Sequence, residues 1–472
     1  MKNTKHNYRS KTEREWKKKI FTYFFTFFTP LVSFSDPGDL IEYNFQNTFS
    51  ISTLNIFLNG LGNNTTSALY PISVYDIKYE SINHNGIVDT LSGLISFPHS
   101  NLEAFPILAY QHGTLILDSQ APSITGLSVN NIEALSVGLG TTPAGFITVM
   151  PDYVGIGNPE KFHPYMIADP HTRSVVDILR ATKELSIILE NSYHFNDQLF
   201  LIGYSDGGYS TLASQRGIEN YYSQEFNITA SFPMAGPYDL SGTMVDFFLS
   251  GPDYSEPFYV PYVLTSQLWY YQGLEVDFND YFEPFWADTL PGLFDGTHSG
   301  DFINNLMPDN PLDILLPEVL EDFENSENHF FRQNLTLNTL LDWVPQSPVH
   351  FFHGMGDEIA PYENTQIAYD TFVGQGAQNI SMTLYPESYG GHGEVAAIAL
   401  SDGFEAILDY QVISTKGDLN GDQLITLYDI EILSSGLLCE INLTPFQYWA
   451  SDVDFTNNVS VFDLISLSDR VQ

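Results

Sequence analysis

The sequence predicts an α/β fold, in which a mostly parallel sheet carries helices on both faces. Short apolar runs of the kind that form buried strands recur along the chain, and each is followed by a loop that contains glycine. Between two of these runs, residues 171–189 carry apolar side chains at helical spacing. Strands that alternate with helices in this way are typical of a parallel sheet. The predicted strands are 105–110, 146–150, 199–202, 228–232 and 349–352.

The net charge of the chain argues against nucleic acid as a partner. Among its 472 residues, 43% are hydrophobic, which is enough for a sizeable core. Lys and Arg number 17 against 58 Asp and Glu, so the formal net charge is -41. Because such a surface repels phosphate groups, we expect no nucleic-acid partner.

The N-terminal stretch, residues 1–35, predicts a secretory signal peptide. Its basic residues precede an uncharged, largely apolar run at 20–34, and small residues lie just before Asp36. The run is short and interrupted by Pro30, so an uncleaved membrane anchor is the less favoured alternative. We therefore expect a secreted, extracellular protein. Its single cysteine, Cys439, excludes a disulfide within the chain.

The rest of the chain divides into two parts of unequal length. Residues 36–414 carry the strand and helix pattern, which begins with antiparallel strands before residue 100. A stretch at about 241–345 is dense in aromatic and acidic residues and is too long for a loop. It predicts a helical cap inserted between two strands. Residues 415–472 differ in character and predict a small all-α domain.

A serine nucleophile is predicted within residues 203–207, Gly-Tyr-Ser-Asp-Gly. This pentapeptide follows the apolar strand at 199–202 and precedes a helix, which is the context that the G-x-S-x-G pattern requires. The serine lies on a tight turn, where only small residues two before and two after it let strand and helix approach. Ser205 is the predicted nucleophile.

A serine hydroxyl needs a histidine base, and the histidine needs an acid that fixes its tautomer. In this kind of fold the acid follows the serine in the chain, and the histidine comes last. Asp357 lies in a loop just after the strand at 349–352, and His392 lies in a Gly-rich loop after a strand at 380–385. They are the predicted acid and base. The competing candidates are Glu358 or Asp342 for the acid, and His350 or His353 for the base.

An oxyanion hole is predicted from two backbone N–H groups. One belongs to Asp206, the residue after the nucleophile, and the other belongs to the loop after the strand at 105–110. Gly113 and Thr114 are the candidates in that loop, because the glycine allows close approach of the backbone. The sequence leaves open which N–H faces the substrate.

These segments, taken in order, resemble the secretory lipase family of α/β-hydrolases over roughly residues 70–410. The resemblance implies the α/β-hydrolase fold, Ser205, Asp357 and His392 as a catalytic triad, and residues 112–114 as part of the oxyanion site. It implies a serine hydrolase of the carboxylesterase and lipase type that needs no cofactor for catalysis. The segments that carry it are 110–114, 151–157, 163–165, 174–181, the 203–208 elbow and 235–240.

The substrate stays open at this point: a lipid, a small ester or an acylated carbohydrate. A serine peptidase of the prolyl-oligopeptidase type would share the fold and the triad, although no propeller domain precedes the core. A second alternative is a non-catalytic, calcium-dependent adhesion protein with a decayed hydrolase domain. All three triad candidates are present in the expected order, which argues against decay.

Two twelve-residue segments, 418–429 and 452–463, repeat in the C-terminal part. Both place oxygen-bearing side chains at positions 1, 3, 5, 9 and 12, the pattern of an EF-hand-like loop that binds Ca²⁺. The predicted ligands are Asp418, Asn420, Asp422, Thr426, Asp429, Asp452, Asp454, Thr456, Ser460 and Asp463.

The pair of loops resembles a type I dockerin. The resemblance implies structural Ca²⁺, a polysaccharide-degrading setting, and a cohesin-bearing protein as partner. The loops depart from the pattern at position 6, where Gln423 and Asn457 replace the expected glycine. A generic acidic turn is the alternative, which the duplication disfavours.

Overall fold

In the computed structural model, residues 36–60, 67–190, 192–251 and 254–471 are described. The predicted signal peptide, residues 1–35, lies outside them. Within these four stretches, none of the helices has the length and apolar character needed to span a bilayer.

One mixed sheet organises the described residues, with ten strands. Its order is β1-β2-β3-β5-β4-β6-β7-β8-β9, and β10 pairs with the first residues of β4. The pairs from β1 to β5 are antiparallel, whereas those from β5 to β9 are parallel. The strands are β1 Leu40–Phe49, β2 Ile72–Ile82, β3 Val88–Pro98, β4 Glu103–Gln111, β5 Ile147–Pro151, β6 Phe195–Tyr204, β7 Ile228–Met234, β8 Val349–Gly354, β9 Ile380–Tyr385 and β10 Ser414–Thr415.

Helices connect the parallel strands, and short 3₁₀ and π turns lie between them. The α-helices of the described residues are α1 Ile51–Gly60, α2 Pro122–Thr125, α3 Ile132–Thr141, α4 Ala168–Ile188, α5 Asp206–Gly217, α6 Val245–Leu249, α7 Tyr259–Gln272, α8 Pro284–Thr289, α9 Gly300–Asn304, α10 Pro317–Asn325, α11 Phe330–Asn338, α12 Glu363–Gly374, α13 His392–Leu408, α14 Leu427–Leu437, α15 Pro445–Ser451 and α16 Val461–Ser468.

Both faces of the sheet are buried, because neighbouring residues of a strand point to opposite sides. In β6, Leu201 packs in one core cluster together with Ile178 of α4. The next residue, Ile202, packs in another cluster together with Val395 of α13. The prediction of an α/β fold with helices on both faces is confirmed, although the sheet is mixed because its first strands form an antiparallel meander.

The segment between β7 and β8 is helical, as the predicted cap at about 241–345 requires. It contains α6 to α11. Its aromatic and aliphatic side chains form one continuous core cluster with residues below them, such as Tyr209 of α5 and Phe351 of β8. The cap therefore rests on the carboxyl ends of the parallel strands.

The C-terminal part contains α14, α15 and α16 and has its own small core around Leu433 and Leu467. It touches the sheet at several points. The Thr444 hydroxyl donates a hydrogen bond to the Asp197 carboxylate at 3.0 Å. The rings of His194 and Trp449 lie 4.9 Å apart.

Candidate active site

The turn between β6 and α5 holds Ser205 in a strained conformation. Its φ is 63°, a left-handed value that side-chain-bearing residues rarely adopt. Gly203 and Gly207 make this turn feasible, because a Cβ at either position would collide with the backbone carbonyl of Gln111. The Ser205 N–H donates to the Met234 carbonyl at 2.9 Å, which fastens the turn to β7. The hydroxyl is thereby held at the carboxyl edge of the sheet.

Ser205, His392 and Asp357 come together from three parts of the chain. The Ser205 hydroxyl and His392 Nε2 lie 2.8 Å apart, within hydrogen-bond distance. On the other side of the ring, His392 Nδ1 and Asp357 Oδ2 are 2.6 Å apart. Asp357 follows β8 and His392 is the first residue of α13, so neighbouring strand ends deliver both side chains.

Protein groups surround the Asp357 carboxylate and donate hydrogen bonds to it. It accepts the N–H groups of Ile359 and Ala360 at 2.9 and 2.8 Å, in addition to the ring of His392. His353 lies on the same carboxylate at 3.1 Å. Burial by itself would raise the pKa of Asp357, but the hydrogen bonds from His353 and His392 outweigh it and hold that pKa well below its usual range. The carboxylate is therefore set to stay ionised.

The competing acids and bases of the sequence interpretation have other partners. Glu358 accepts the backbone N–H of His392 at 3.1 Å, and Asp342 pairs with Arg216 at 2.8 Å. His353 is fully buried, with Nδ1 on the Thr365 hydroxyl at 2.7 Å. His350 contacts the hydroxyls of Ser381 and Tyr410. None of these four contacts the Ser205 hydroxyl in the described residues.

The candidate oxyanion donors differ in whether their backbone N–H groups already have a hydrogen-bond acceptor. Asp206 is the first residue of α5, so its N–H has no acceptor inside the helix. The Gly113 N–H donates to the Glu133 carboxylate at 2.8 Å in this arrangement, and its role as an oxyanion donor stays a prediction. Thr114 holds its hydroxyl 2.8 Å from that of Tyr165. Its N–H makes no hydrogen bond to the described residues, which leaves it as the second candidate.

Glu133 was not singled out from the sequence. It accepts both the Gly113 N–H and the Tyr110 hydroxyl, the latter at 2.5 Å, and so fixes the loop after β4. A glutamate in the first turn of α3 carries no local signal of such a role. Only the spatial contact between this helix and the loop reveals it.

A largely apolar cleft opens beside Ser205. Apart from Ser205, the residues of the cleft could not be predicted from the sequence, because they come from distant parts of the chain. The cap supplies most of the wall, and Tyr165 and Pro237 lie near the serine. The cap side chains are Leu240, Met244, Val245, Phe248, Tyr254, Tyr259, Val260, Val263, Leu264, Leu312, Phe323 and Leu335.

The first of the two C-terminal loops is organised around its terminal aspartates. The Asp418 carboxylate accepts the N–H groups of Gly421, Asp422 and Gln423 at 2.8 to 3.1 Å. The carboxylate of Asp429 accepts the N–H groups of Leu419, Asn420 and Thr426. The Asn420 amide donates to Asp422 at 2.8 Å, and the Thr426 hydroxyl caps α14.

The second loop repeats this arrangement. Asp452 accepts the N–H of Thr456 at 2.8 Å, and Asp463 accepts those of Asp454 and Ser460 at 3.2 and 2.9 Å. Ser460 caps α16 as Thr426 caps α14. Carboxylate oxygens of Asp452, Asp454 and Asp463 lie within 4.8 Å of one another. The loops thus fold alike, each around its first and last aspartate.

Position 6 is left-handed in both loops, with φ values of 67° at Gln423 and 62° at Asn457. This is the conformation for which EF-hand loops use glycine. The departures in sequence therefore leave the backbone turn in place.

The sequence comparisons cover little of the chain. No family model matches the chain, so the likeness of residues 415–472 to a dockerin stays a prediction. Secreted triacylglycerol lipase LIP3 of Malassezia globosa is 28% identical over 103 residues, which is 22% of this chain and 22% of that protein. The match thus spans about a fifth of the relative's length.

Solved structures match far more of the chain. The rice cell wall degrading esterase LipA of Xanthomonas oryzae is 25% identical, with a TM-score of 0.68 over 79% of this chain and 96% of the esterase. A putative hydrolase of Legionella pneumophila is 26% identical, with a TM-score of 0.71 over 79% of this chain and 98% of that one. Candida antarctica lipase A, in its closed state, is 18% identical, with a TM-score of 0.60 over 80% and 82%. The chain therefore has the α/β-hydrolase fold, and its structural neighbours include esterases and a lipase.

Proposed function

We propose that this protein is a secreted serine esterase that hydrolyses carboxylic esters with apolar acyl groups. The observation that carries the proposal is the continuous hydrogen-bonded line from the Ser205 hydroxyl through His392 to Asp357. It lies at the border of an apolar cleft. The solved esterases and lipase of the same fold favour an ester over a peptide substrate.

The proposed reaction uses only groups of this chain and water. His392 Nε2 takes the proton of Ser205 as its oxygen attacks the ester carbonyl, and Asp357 stabilises the imidazolium that forms. The N–H groups of Asp206 and Thr114 receive the developing oxyanion. His392 then donates its proton to the leaving alkoxide, and an acyl-enzyme remains. Water, deprotonated by His392, attacks this ester, and His392 returns the proton to the Ser205 oxygen as the bond to the acyl group breaks and the acid leaves.

The cleft favours an apolar acyl group. Its wall is formed by aliphatic and aromatic side chains such as Leu264 and Phe323, and the described wall contains no Lys or Arg. Each methylene group that moves from water into such a wall contributes about 0.8 kcal/mol. An acetyl group would contact few of these side chains, whereas a longer acyl chain would contact more of them. We therefore expect preference for medium or long acyl chains, on an alcohol of open identity.

A series of p-nitrophenyl esters, from acetate to palmitate, tests this function. We expect kcat/KM to rise with acyl length beyond acetate, and Ser205→Ala to abolish turnover. Ser214→Ala is the matched control, since Ser214 is a buried serine of α5 with no hydrogen-bond partner for its hydroxyl. A wild-type protein that is inactive on every ester would overturn the proposal. Turnover of prolyl peptides alone would favour the peptidase alternative.

A second proposal concerns the C-terminal loops, which we infer to bind structural Ca²⁺. The donors are oxygens, as Ca²⁺ prefers, and the two loops share one backbone arrangement. Besides the residue types at positions 3, 5 and 9, the loops differ in one ion pair. Lys416 donates to Asp452 at 2.8 Å and occupies part of the second loop, whereas the first has no such partner among the described residues. The first loop is therefore expected to bind Ca²⁺ more tightly.

Thermal unfolding with Ca²⁺ or with a chelator tests this second proposal. We expect Ca²⁺ to raise the transition of the C-terminal part by about 5 °C, because it binds only the folded loops. Asp418→Asn should remove more of this shift than Asp452→Asn. Asp469→Asn, an exposed acid outside both loops, is the control. Identical transitions with and without chelator would contradict calcium binding.

A cohesin is the partner that the dockerin resemblance implies. The first two residues of α14 and of α16 occupy equivalent positions and expose large apolar side chains, Leu427, Tyr428, Val461 and Phe462. Exposed apolar pairs of this kind mark contact surfaces. We expect the full chain to bind a purified type I cohesin in the presence of Ca²⁺, and the double variant Tyr428→Asp with Phe462→Asp to lose that binding. Equal binding by the variant would contradict this surface, and no binding by the wild type would contradict the partner.

A further inference from the structure

The side chain of Asp206 lies in the protein interior, although its neighbour in sequence is the nucleophile. Only 1% of Asp206 is exposed. Its Oδ1 is 3.5 Å from Nε2 of His171, which is also 1% exposed and belongs to the first turns of α4. The proposed ester reaction uses the backbone N–H of Asp206 and makes no use of this side chain.

Asp206 and His171 lack hydrogen bonds altogether in the described part of the chain. Both carboxylate oxygens and both ring nitrogens are buried without a partner. Buried polar side chains are nearly always hydrogen-bonded, and an uncompensated buried carboxylate is strongly unfavourable. Four buried polar atoms without a hydrogen bond, two of them 3.5 Å apart, therefore indicate a missing binding partner.

His163 completes the cluster and is oriented like a metal ligand. Its Nδ1–H donates to the Val154 carbonyl at 2.7 Å, which leaves Nε2 as the free lone pair. Histidines that bind metals usually hold their second ring nitrogen in this way. Ligand atoms of His163, His171 and Asp206 all lie within 4.8 Å of one another.

The distance between Asp206 Oδ1 and His171 Nε2 suits two ligands of one zinc ion better than a direct hydrogen bond. Two atoms that each lie about 2.1 Å from a tetrahedral zinc ion are about 3.4 Å apart. The 3.5 Å between Asp206 Oδ1 and His171 Nε2 is close to this value and longer than an ordinary hydrogen bond. Two imidazoles and one carboxylate are ligands that zinc accepts, whereas Ca²⁺ and Mg²⁺ prefer oxygen alone.

We propose that His163, His171 and Asp206 bind one zinc ion. The ion would join three elements: the start of α5, the start of α4 and the loop after β5. Asp206 also supplies an oxyanion N–H next to Ser205, so the ion holds this backbone in place. A fourth position remains for water. This site is separate from the C-terminal loops, and its existence does not depend on the ester reaction.

Metal analysis of the purified full chain tests the site. The protein is loaded with Zn²⁺ in the presence of millimolar Ca²⁺, desalted, and its zinc content measured by mass spectrometry. We expect about one zinc per chain in the wild type and less than about a tenth of that in Asp206→Asn and in His171→Gln. His329→Gln is the matched control, because His329 is also a buried histidine with an unpartnered Nδ1. It should keep its zinc.

Cobalt spectroscopy gives a readout that needs no variant to fold. Co²⁺ added to the metal-free wild type should produce the visible absorption of a tetrahedral complex, and Zn²⁺ should remove it. In addition, a zinc-selective chelator should lower the thermal transition of the wild type by about 5 °C but leave folded Asp206→Asn unchanged. A wild type that binds neither ion would overturn the proposal and indicate a direct Asp206–His171 hydrogen bond. Full zinc content in Asp206→Asn and His171→Gln would overturn it as well.

Discussion

Ser205 and Asp206 are neighbours in the chain, yet their side chains belong to two histidine–aspartate sets with opposite properties. In the set of Ser205, His392 and Asp357, every polar side-chain group has a hydrogen-bond partner. In the set of Asp206 and His171, none has. The same residue types can therefore form a set in which every polar group is hydrogen-bonded, or a set in which none is. The first is suited to moving a proton, and the second to holding a ligand from outside the chain.

The largest expected effect is on activity and separates Asp357 from Asp342, the competing acid. Asp357→Asn should lower kcat on a p-nitrophenyl ester by about 10⁴-fold, because an amide neither fixes the His392 tautomer nor stabilises the imidazolium. Asp342→Asn, at the exposed competing acid, should stay within about twofold of the wild type. Steady-state kinetics at neutral pH measure both. A similar loss in the two variants would contradict the assignment of the acid.

Stability should separate Asp357 from Asp206. Asp357→Asn should lower the free energy of unfolding by about 3 kcal/mol, since several buried donors lose their charged acceptor. In zinc-free protein, Asp206→Asn should be neutral or stabilising by about 1 kcal/mol, because it removes an unpaired buried carboxylate. Urea unfolding of both variants in the presence of a zinc chelator makes the comparison. If Asp206→Asn were the more damaging change in zinc-free protein, the carboxylate would already be satisfied by the protein.

A smaller effect is expected at the second histidine on Asp357. His353→Gln should lower kcat by about tenfold, because it removes one of the groups that hold the carboxylate in place but leaves His392 untouched. KM should change little, since His353 does not line the cleft. His350→Gln is the control, as this histidine contacts Ser381 and Tyr410 instead. An unchanged kcat in His353→Gln would mean that the other donors to Asp357 suffice.

The sequence predicted those features that depend on local pattern and chain order. The strands at 199–202 and 349–352 are short apolar runs, and their place in a parallel sheet follows from the helices between them. Ser205, Asp357 and His392 could be found because strand ends in such a sheet meet at one edge. The antiparallel strands before residue 100 could be predicted as well, from their alternating apolar and polar residues, but not the pairing of β3 with β5 that joins them to the parallel strands.

Contacts between distant segments had no signal in the sequence. The bond from the Gly113 N–H to Glu133 depends on the orientation of α3, which no spacing along the chain specifies. The same is true of His171. In the sequence it belongs to the helical pattern at 171–189, and only the structure shows that it lies beside Asp206. Hydrophobic periodicity tells which face of a helix is buried, but not which polar group on that face meets another.

The central claim is that Ser205 forms the covalent intermediate. The most direct measurement is mass spectrometry of the intact protein and of its peptides after reaction with an alkyl fluorophosphonate, which traps an activated serine. We expect one phosphonyl group per chain, located on Ser205 and absent from Ser205→Ala. No adduct on the folded wild type, or an adduct on a different residue, would contradict it.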